Sequence, residues 1–177
     1  MIHPVPKPIK AEKKKPTKKK KTPEAKIIEE IDLIDSDICL ITNGFVCILC
    51  GGKASFTHHF FHKKSHGVLR FEPDNHCPVC YSCHRYQIHS KGDTEQLRDN
   101  LIRRIGREGF DRLKELDKDL ANRSIVYLRS ELFYKQGVLV KVAEVASEDV
   151  LCMMTGAAQK RLGKAIKDYD QQRGYAR

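Results

Sequence analysis

Four cysteines fall in two pairs that have the spacing of metal ligands. Cys47 and Cys50 form one CxxC pair, Cys80 and Cys83 form a second, and 29 residues separate the two pairs. Each pair makes a tight turn whose two thiolates can face one ion, and two such turns complete the tetrahedral four-thiolate site that zinc prefers. The spacing therefore predicts a structural zinc site.

The other cysteines bring the total to seven, which is an odd number. Cys77 shares the three-residue spacing of Cys80 and Cys83 and could replace one ligand, although we prefer to interpret it as a small buried residue. Cys39 and Cys152 have no partner at metal spacing, and we expect both to be core thiols. Because the sequence carries no secretory signal, metal binding explains the cysteines better than disulfides do.

A second set of reactive side chains lies between and just after the cysteine pairs. His58 and His59 are adjacent, Asn75 follows 16 residues after His59, and His84 follows nine residues later, directly after Cys83. A neutral imidazole can take a proton from water near pH 7, and it can also bind a metal ion. Phosphodiester hydrolysis needs an activated water, a cation near the phosphate and relief for the leaving oxygen. These residue types fit that reaction.

The order of these residues resembles the motif of the HNH endonucleases, in which the last His typically follows a CxxC. The resemblance implies a small ββα-metal core with one catalytic ion, either Mg²⁺ or Mn²⁺. It implies that His59 is the general base and that His58 and His84 bind the ion. It also implies that Asn75 does not touch the substrate and that its amide holds the loop carrying His59.

Other residues near the motif compete for these roles or extend them. His62, three residues after His59, is the strongest alternative ligand, and His89 is the next. Neighbouring residues on a strand point to opposite sides, so the adjacent His pair can divide its roles only if the strand bends or the metal lies at its edge. Four basic residues are candidate phosphate contacts, with solvated surface charge as the alternative: Lys63, Lys64, Arg70 and Arg85.

Further motifs flank the Asn and the second cysteine pair. A Leu-Arg-Phe segment at residues 69–71 precedes Asn75, the second CxxC follows, and Ile-Gly-Arg-Glu comes at residues 105–108. In this order and spacing the stretch resembles the phage NinG (Rap) recombination endonucleases. The resemblance covers about residues 47–117. It implies a structure-specific nuclease that acts on branched DNA such as Holliday junctions and D-loops, in the host cytoplasm if a phage encodes it. Junction cutting would suit a homodimer, because two strands must be cut; a monomeric nickase is the alternative.

Charge is concentrated at the beginning of the chain. The formal net charge is +10, and residues 1–26 hold ten lysines and two glutamates. A basic arm on a near-neutral body suits a nucleic-acid partner, because each neutralised phosphate releases counterions; the alternative is a solvated tail that binds nothing specific. No run approaches the ~18 apolar residues that span a membrane. We therefore expect a cytoplasmic protein without membrane contact.

Composition divides the chain into five parts and predicts an α+β fold. Residues 1–26 contain five of the seven prolines and are predicted to be a disordered Lys/Pro-rich arm. Residues 27–46 are a lead-in segment, either a short helix or a strand. Residues 47–93 form the zinc-stapled core, residues 94–120 form supporting helices, and residues 121–177 are mostly helical and of unknown role.

The supporting helices carry their own signals. Asp93 can cap a helix with Gln96 at the third position. Leu97 and Leu101 then share an apolar face, and Gly106 interrupts the pattern, which predicts two helices.

Three classes of function remain open. A metal-dependent DNA endonuclease accounts for the whole set of residues. A zinc-knuckle module that binds nucleic acid without chemistry would explain the cysteines and the lysines but does not require the adjacent histidines. A zinc-stabilised structural or assembly protein is the third.

Overall fold

The structure, a computed structural model, describes residues 20–92, 94–118 and 124–175. Within these ranges the chain forms α-helices, a small antiparallel sheet and a π-helix. The helices are α1 (Pro23–Thr42), α2 (Glu95–Leu116), α3 (Ile125–Val145), α4 (Glu148–Cys152) and α5 (Gly156–Tyr175); the strands are β1 (Phe56–His59) and β2 (His76–Val79), and the π-helix is Cys83–Ser90. This mixture of helices with a small sheet confirms the coarse α+β expectation. No helix within the described ranges has the length and apolar character needed to cross a membrane.

The sheet brings two sequence-distant segments into register. Strands β1 and β2 are antiparallel, with Phe56 opposite Val79 and His59 opposite His76. Two 3₁₀ turns, Val68–Phe71 and Pro73–Asn75, lie in the connection between the strands. The strands therefore place the first His pair beside the segment that contains Asn75.

Helix α1 begins earlier than composition predicts. Thr22 caps it, since its Oγ1 accepts a hydrogen bond from the Ala25 N–H at 3.2 Å, and Pro23 is tolerated in the first turn because no helical partner exists there for its missing N–H. The expectation that residues 1–26 are disordered is wrong for Pro23–Lys26, and the lead-in segment is a helix rather than a strand. Residues 1–19 of the arm lie outside the described residues.

Helices α1, α3 and α5 form a layer in which charged side chains as well as apolar ones are buried. Helix α1 packs against α3, and α3 packs against α5. Between α1 and α3, Lys135 Nζ lies 2.9 Å from Asp35 Oδ1, and both side chains are buried. Arg161 of α5 makes a bidentate ion pair with Asp37 of α1 at 2.7 and 2.8 Å. The layer forms one wall beside the sheet.

Helix α2 is bent at a glycine, which confirms that Gly106 interrupts the helical pattern. Gly106 has φ 78° and ψ 162°, so the two halves of the helix run in different directions. Leu97 and Leu101 are buried, as their shared apolar face predicts, and Phe110 and Leu113 beyond the bend are buried as well. The predicted cap Asp93 lies outside the described residues.

Replacement of Gly106 by alanine should destabilise the fold, because its backbone conformation is accessible only to glycine. We expect a loss of about 1–3 kcal/mol in the free energy of unfolding. Gly163→Ala is the matched control: Gly163 lies inside α5 with open space where a Cβ would lie, and alanine there should stabilise by about 0.4–1 kcal/mol. Denaturant unfolding followed by circular dichroism measures both. Equal effects of the two substitutions would contradict this account of the bend.

Candidate functional site

The two cysteine pairs converge on one point. One Sγ atom from each of Cys47, Cys50, Cys80 and Cys83 lies within 4.8 Å of the others. The Sγ atoms of Cys50 and Cys80 are 3.7 Å apart, close to the edge of about 3.8 Å that follows from a tetrahedron with Zn–S bonds of about 2.3 Å. Four thiolate donors at these separations could hold a structural metal such as zinc.

Backbone turns prepare the cysteine cluster to accept a cation. The Gly51 N–H donates to the Cys47 carbonyl at 2.9 Å, and Gly51 has φ 70°, a conformation that suits glycine. The Cys83 N–H donates to Cys80 Sγ at 3.4 Å. Burial would raise the pKa of Cys47, but hydrogen bonds to backbone groups of Cys50 and Cys80 lower it to about 7. Burial raises the pKa of Cys83, so a bound cation would be needed to make all four residues thiolates.

The other three cysteines lie outside this cluster. Cys77 is fully buried in β2, opposite His58 of β1, and is not among the four clustered residues. Cys39 is buried in α1. Cys152 is exposed at the end of α4, so the expectation that it is a core thiol is wrong.

Three histidines form a second cluster beside the sheet. His58 of β1 meets His84 and His89 of the π-helix, and one ring nitrogen from each lies within 4.8 Å of the others. The Nε2 atoms of His84 and His89 are 3.2 Å apart. Imidazole nitrogens at these separations could share one metal ion.

The π-helix explains why His89 joins this cluster. Residues five apart on an α-helix are separated by about 140° around the axis, so His84 and His89 would point in different directions. In the π-helix the turn is wider, and the Lys91 N–H donates to the carbonyl of Tyr86, five residues earlier, at 3.0 Å. The sequence supports His89 only as a secondary alternative, because its five-residue spacing from His84 would not align the two side chains on an α-helix. His62, the preferred alternative, lines the nearby cavity but lies outside the cluster.

Two of the clustered histidines, His58 and His84, have lowered pKa values. Burial, with the neighbouring rings of His84 and His89, lowers the pKa of His58 to about 4. Burial and His89 also lower the pKa of His84. Neutral imidazoles offer lone pairs and suit transition-metal ions, whereas Mg²⁺ prefers oxygen ligands.

His59 lines the same cavity of about 500 Å³ as the histidine cluster, although the two histidines of β1 are adjacent. Its Nε2 lies 3.1 Å from the carbonyl oxygen of Arg70. Burial, aided by the charge of Lys63, lowers the pKa of His59 to about 4, so the ring is neutral. Because a carbonyl only accepts hydrogen bonds, Nε2 carries the proton and Nδ1 carries the lone pair of the neutral ring.

Asn75 holds two backbone segments together and is completely buried. Its Nδ2 donates to the carbonyls of Phe61 at 3.0 Å and Leu69 at 2.9 Å. Its Oδ1 accepts from the Phe61 N–H at 2.7 Å. These contacts join the end of the segment that follows His59 to the first 3₁₀ turn.

The four basic residues predicted to contact DNA are not equivalent. Arg70 makes a bidentate ion pair with Asp32 of α1 at 2.8 and 2.6 Å, and Lys63 donates to the same carboxylate at 2.8 Å. Burial would raise the pKa of Asp32, but these two cations hold it below its ordinary value. Lys64 and Arg85 are exposed. Of the four residues, these two therefore fit the predicted role of phosphate contacts best. Sequence reasoning missed Asp32, which no local spacing identifies.

The cysteine cluster predicts a metal-dependent fold. Cys50→Ser and Cys80→Ser should each abolish the binding of about one zinc ion per chain and lower the melting temperature, because the ligands organise the segment between them. Cys77→Ala is the matched control and should keep its zinc. Elemental analysis with thermal denaturation, before and after a chelator, measures both effects. If Cys77→Ala lost zinc and Cys50→Ser retained it, Cys77 rather than Cys50 would be the zinc ligand.

The histidine cluster predicts a second, weaker metal site. His58→Ala and His89→Ala should each lower the affinity for Mn²⁺ or Co²⁺ at least about tenfold, the smallest loss typical even of residues that only support ligands. His62→Ala, in the wall of the same cavity, should leave the affinity within about twofold of the native value. Titration calorimetry on zinc-loaded protein measures this. A larger loss in His62→Ala than in His89→Ala would show that the cluster is not the binding site.

Comparison with known proteins identifies a family for the chain. No curated protein matches it, and neither does any solved structure. The sequence model of the family described as NinG, the bacteriophage lambda NinG protein, matches residues 7–142. That range covers both metal-ligand clusters and more than half of the chain, and it ends within α3. The chain therefore belongs to the phage NinG family.

Proposed function

We propose that this protein is a metal-dependent DNA endonuclease of the HNH type, which hydrolyses phosphodiester bonds. The observation that carries the proposal is the position of a neutral histidine with an unprotonated Nδ1, His59, in the same cavity as three histidines that could share a metal ion. A general base and a cation site are the two elements that phosphodiester hydrolysis requires.

In the proposed reaction His59 takes a proton from the attacking water at Nδ1. The Nε2–H bond to the Arg70 carbonyl orients the ring and stabilises the imidazolium that forms. Burial, with the charge of Lys63, lowers the pKa of His59 to about 4, which keeps the ring neutral and able to accept a proton at pH 7. Asn75 acts at a distance by joining the segment after His59 to the turn that contains Arg70.

His58, His84 and His89 would hold the catalytic ion. When bound, the ion would neutralise charge on the phosphate and on the leaving oxygen. Three imidazoles without a carboxylate favour Mn²⁺ or another transition-metal ion over Mg²⁺. The cysteine cluster would hold zinc in a separate, structural role.

DNA is the proposed substrate, and basic side chains support this. Lys64 and Arg85 are exposed. The lysines of the N-terminal arm precede α1, and Glu29, Asp32 and Leu33 of that helix line the cavity. The preference for branched DNA rests on the family resemblance alone. The proposed homodimer rests on the same resemblance.

A second function, nucleic-acid binding without chemistry, is favoured by the same lysines and the cysteine cluster. It assigns no role to the three clustered histidines or to the hydrogen-bonded His59. For that reason we place it second.

Cleavage of DNA tests the proposal directly. Zinc-loaded protein is incubated with linear duplex and with a four-way junction, in Mn²⁺, in Mg²⁺ and in EDTA. We expect cutting in Mn²⁺ and none in EDTA, and His59→Ala should lower the rate by about 10²–10⁴-fold, the usual contribution of a general base. His66→Ala is the control, since His66 pairs with Asp117 at 2.6 Å and does not line the cavity.

Three outcomes decide between the candidate functions. Tight, salt-sensitive DNA binding without cutting in any metal would support the binding module. Full activity in His59→Ala would exclude His59 as the base. Faster cutting of the junction than of the duplex would support the branched-DNA substrate.

A further inference from the structure

We propose that His76 is a positioning residue: together with the Arg70 carbonyl it fixes the tautomer and the orientation of His59. The inference rests on the proposed function, because its consequence for rate requires His59 to be the base. The tautomers of His59 and His76, which the inference specifies, can be measured independently of activity.

The carbonyl oxygen of Arg70 receives two imidazole nitrogens. It lies 3.1 Å from Nε2 of His59 and 2.9 Å from Nε2 of His76. A carbonyl oxygen has two lone pairs and no proton to give, so both nitrogens must be donors. The two rings therefore fill both acceptor positions of one oxygen.

The shared acceptor decides which nitrogen of each ring carries its proton. His76 is 2% exposed, and its Nε2 and that of His59 both lie within hydrogen-bond distance of the Arg70 carbonyl oxygen. A neutral imidazole has one N–H group, and here each ring donates it to that oxygen. Nδ1 of His59 is left as the acceptor that a general base needs.

Strand register brings the two rings together. His59 and His76 are directly opposed in β1 and β2. Their ring centroids lie 4.6 Å apart with planes at 81°, so the edge of one ring meets the face of the other. Rotation of His59 about its side chain would break its hydrogen bond to Arg70 and the ring contact with His76.

The peptide that carries this carbonyl is fixed on both sides. Asn75 Nδ2 donates to the Leu69 carbonyl at 2.9 Å, and Lys135 Nζ donates to the Phe71 carbonyl at 2.6 Å. The guanidinium of Arg70 is bound to Asp32. Three consecutive carbonyls of one turn thus accept hydrogen bonds from side chains, which leaves the Arg70 peptide little freedom to rotate.

Two substitutions separate positioning from simple packing. His76→Gln keeps an N–H donor near the position of Nε2, whereas His76→Leu fills a similar volume and donates nothing. Nitrogen-15 NMR of labelled histidines, on zinc-loaded protein without paramagnetic metal, distinguishes Nε2–H from Nδ1–H rings. In the native protein we expect the Nε2–H form for both histidines.

In His76→Leu we expect His59 to show a mixture of tautomers and KM to stay within about twofold. We expect kcat for DNA cutting to fall about tenfold, which is less than the 10²–10⁴-fold contribution of a general base because the base itself remains. His76→Gln should restore the single tautomer of His59 and most of kcat. A packing role would instead lower stability in both variants and leave the tautomer unchanged.

The outcomes also separate this inference from the proposed function. A native protein with Nδ1–H in either ring would overturn the positioning role even if neither variant folds, and so would an unchanged tautomer and kcat in folded His76→Leu. If the native protein cuts no DNA while the tautomers respond as expected, the nuclease proposal fails and the positioning of His59 stands.

Discussion

The peptide carbonyl of Arg70 is the point on which the geometry of the site depends. It lies in the 3₁₀ turn Val68–Phe71, and it accepts hydrogen bonds from two imidazoles, the half-buried His59 and the buried His76. Rotation of this peptide would leave both donors unpaired, at a cost of about 1–3 kcal/mol for a buried group such as His76. The turn is itself held by α1 through Asp32 and by α3 through Lys135. The helical layer therefore contributes to the site although no helix supplies the proposed base.

The cysteine cluster positions the other half of the site. Cys83 is both a member of that cluster and the first residue of the π-helix, so the cluster sets where the helix carrying His84 and His89 begins. The first cysteine turn is tied to the rest of the molecule through Ile48, whose N–H donates to Pro78 and whose carbonyl accepts from Asn100. The sheet between the two clusters has only two strands, which is too little for independent stability. A structural metal would supply what the small core lacks.

Features defined by local spacing could be predicted from the sequence. Contacts between residues that lie far apart along the chain could not, because they leave no local pattern. The CxxC pairs, Asn75 and the interruption at Gly106 are visible because neighbouring residues define each feature. His89 is a weak candidate from sequence because a five-residue spacing does not align side chains on an α-helix. The partner of Arg70 is 38 residues away, so its ion pair with Asp32 could not be read from any motif.

The charge distribution of the cavity bears on the choice between chemistry and binding. A surface that only attracts phosphates would gain from cationic side chains, yet burial keeps His58 and His59 neutral, with the pKa of each lowered to about 4. Lys63 and Arg70, the cations whose charges help to lower the pKa of His59, direct their hydrogen bonds to Asp32. The cavity thus presents lone pairs where a binding site for phosphate would present positive charge. A cation held by the histidine cluster would supply that charge, and phosphate binding in the cavity would then depend on the same ion as the proposed hydrolysis.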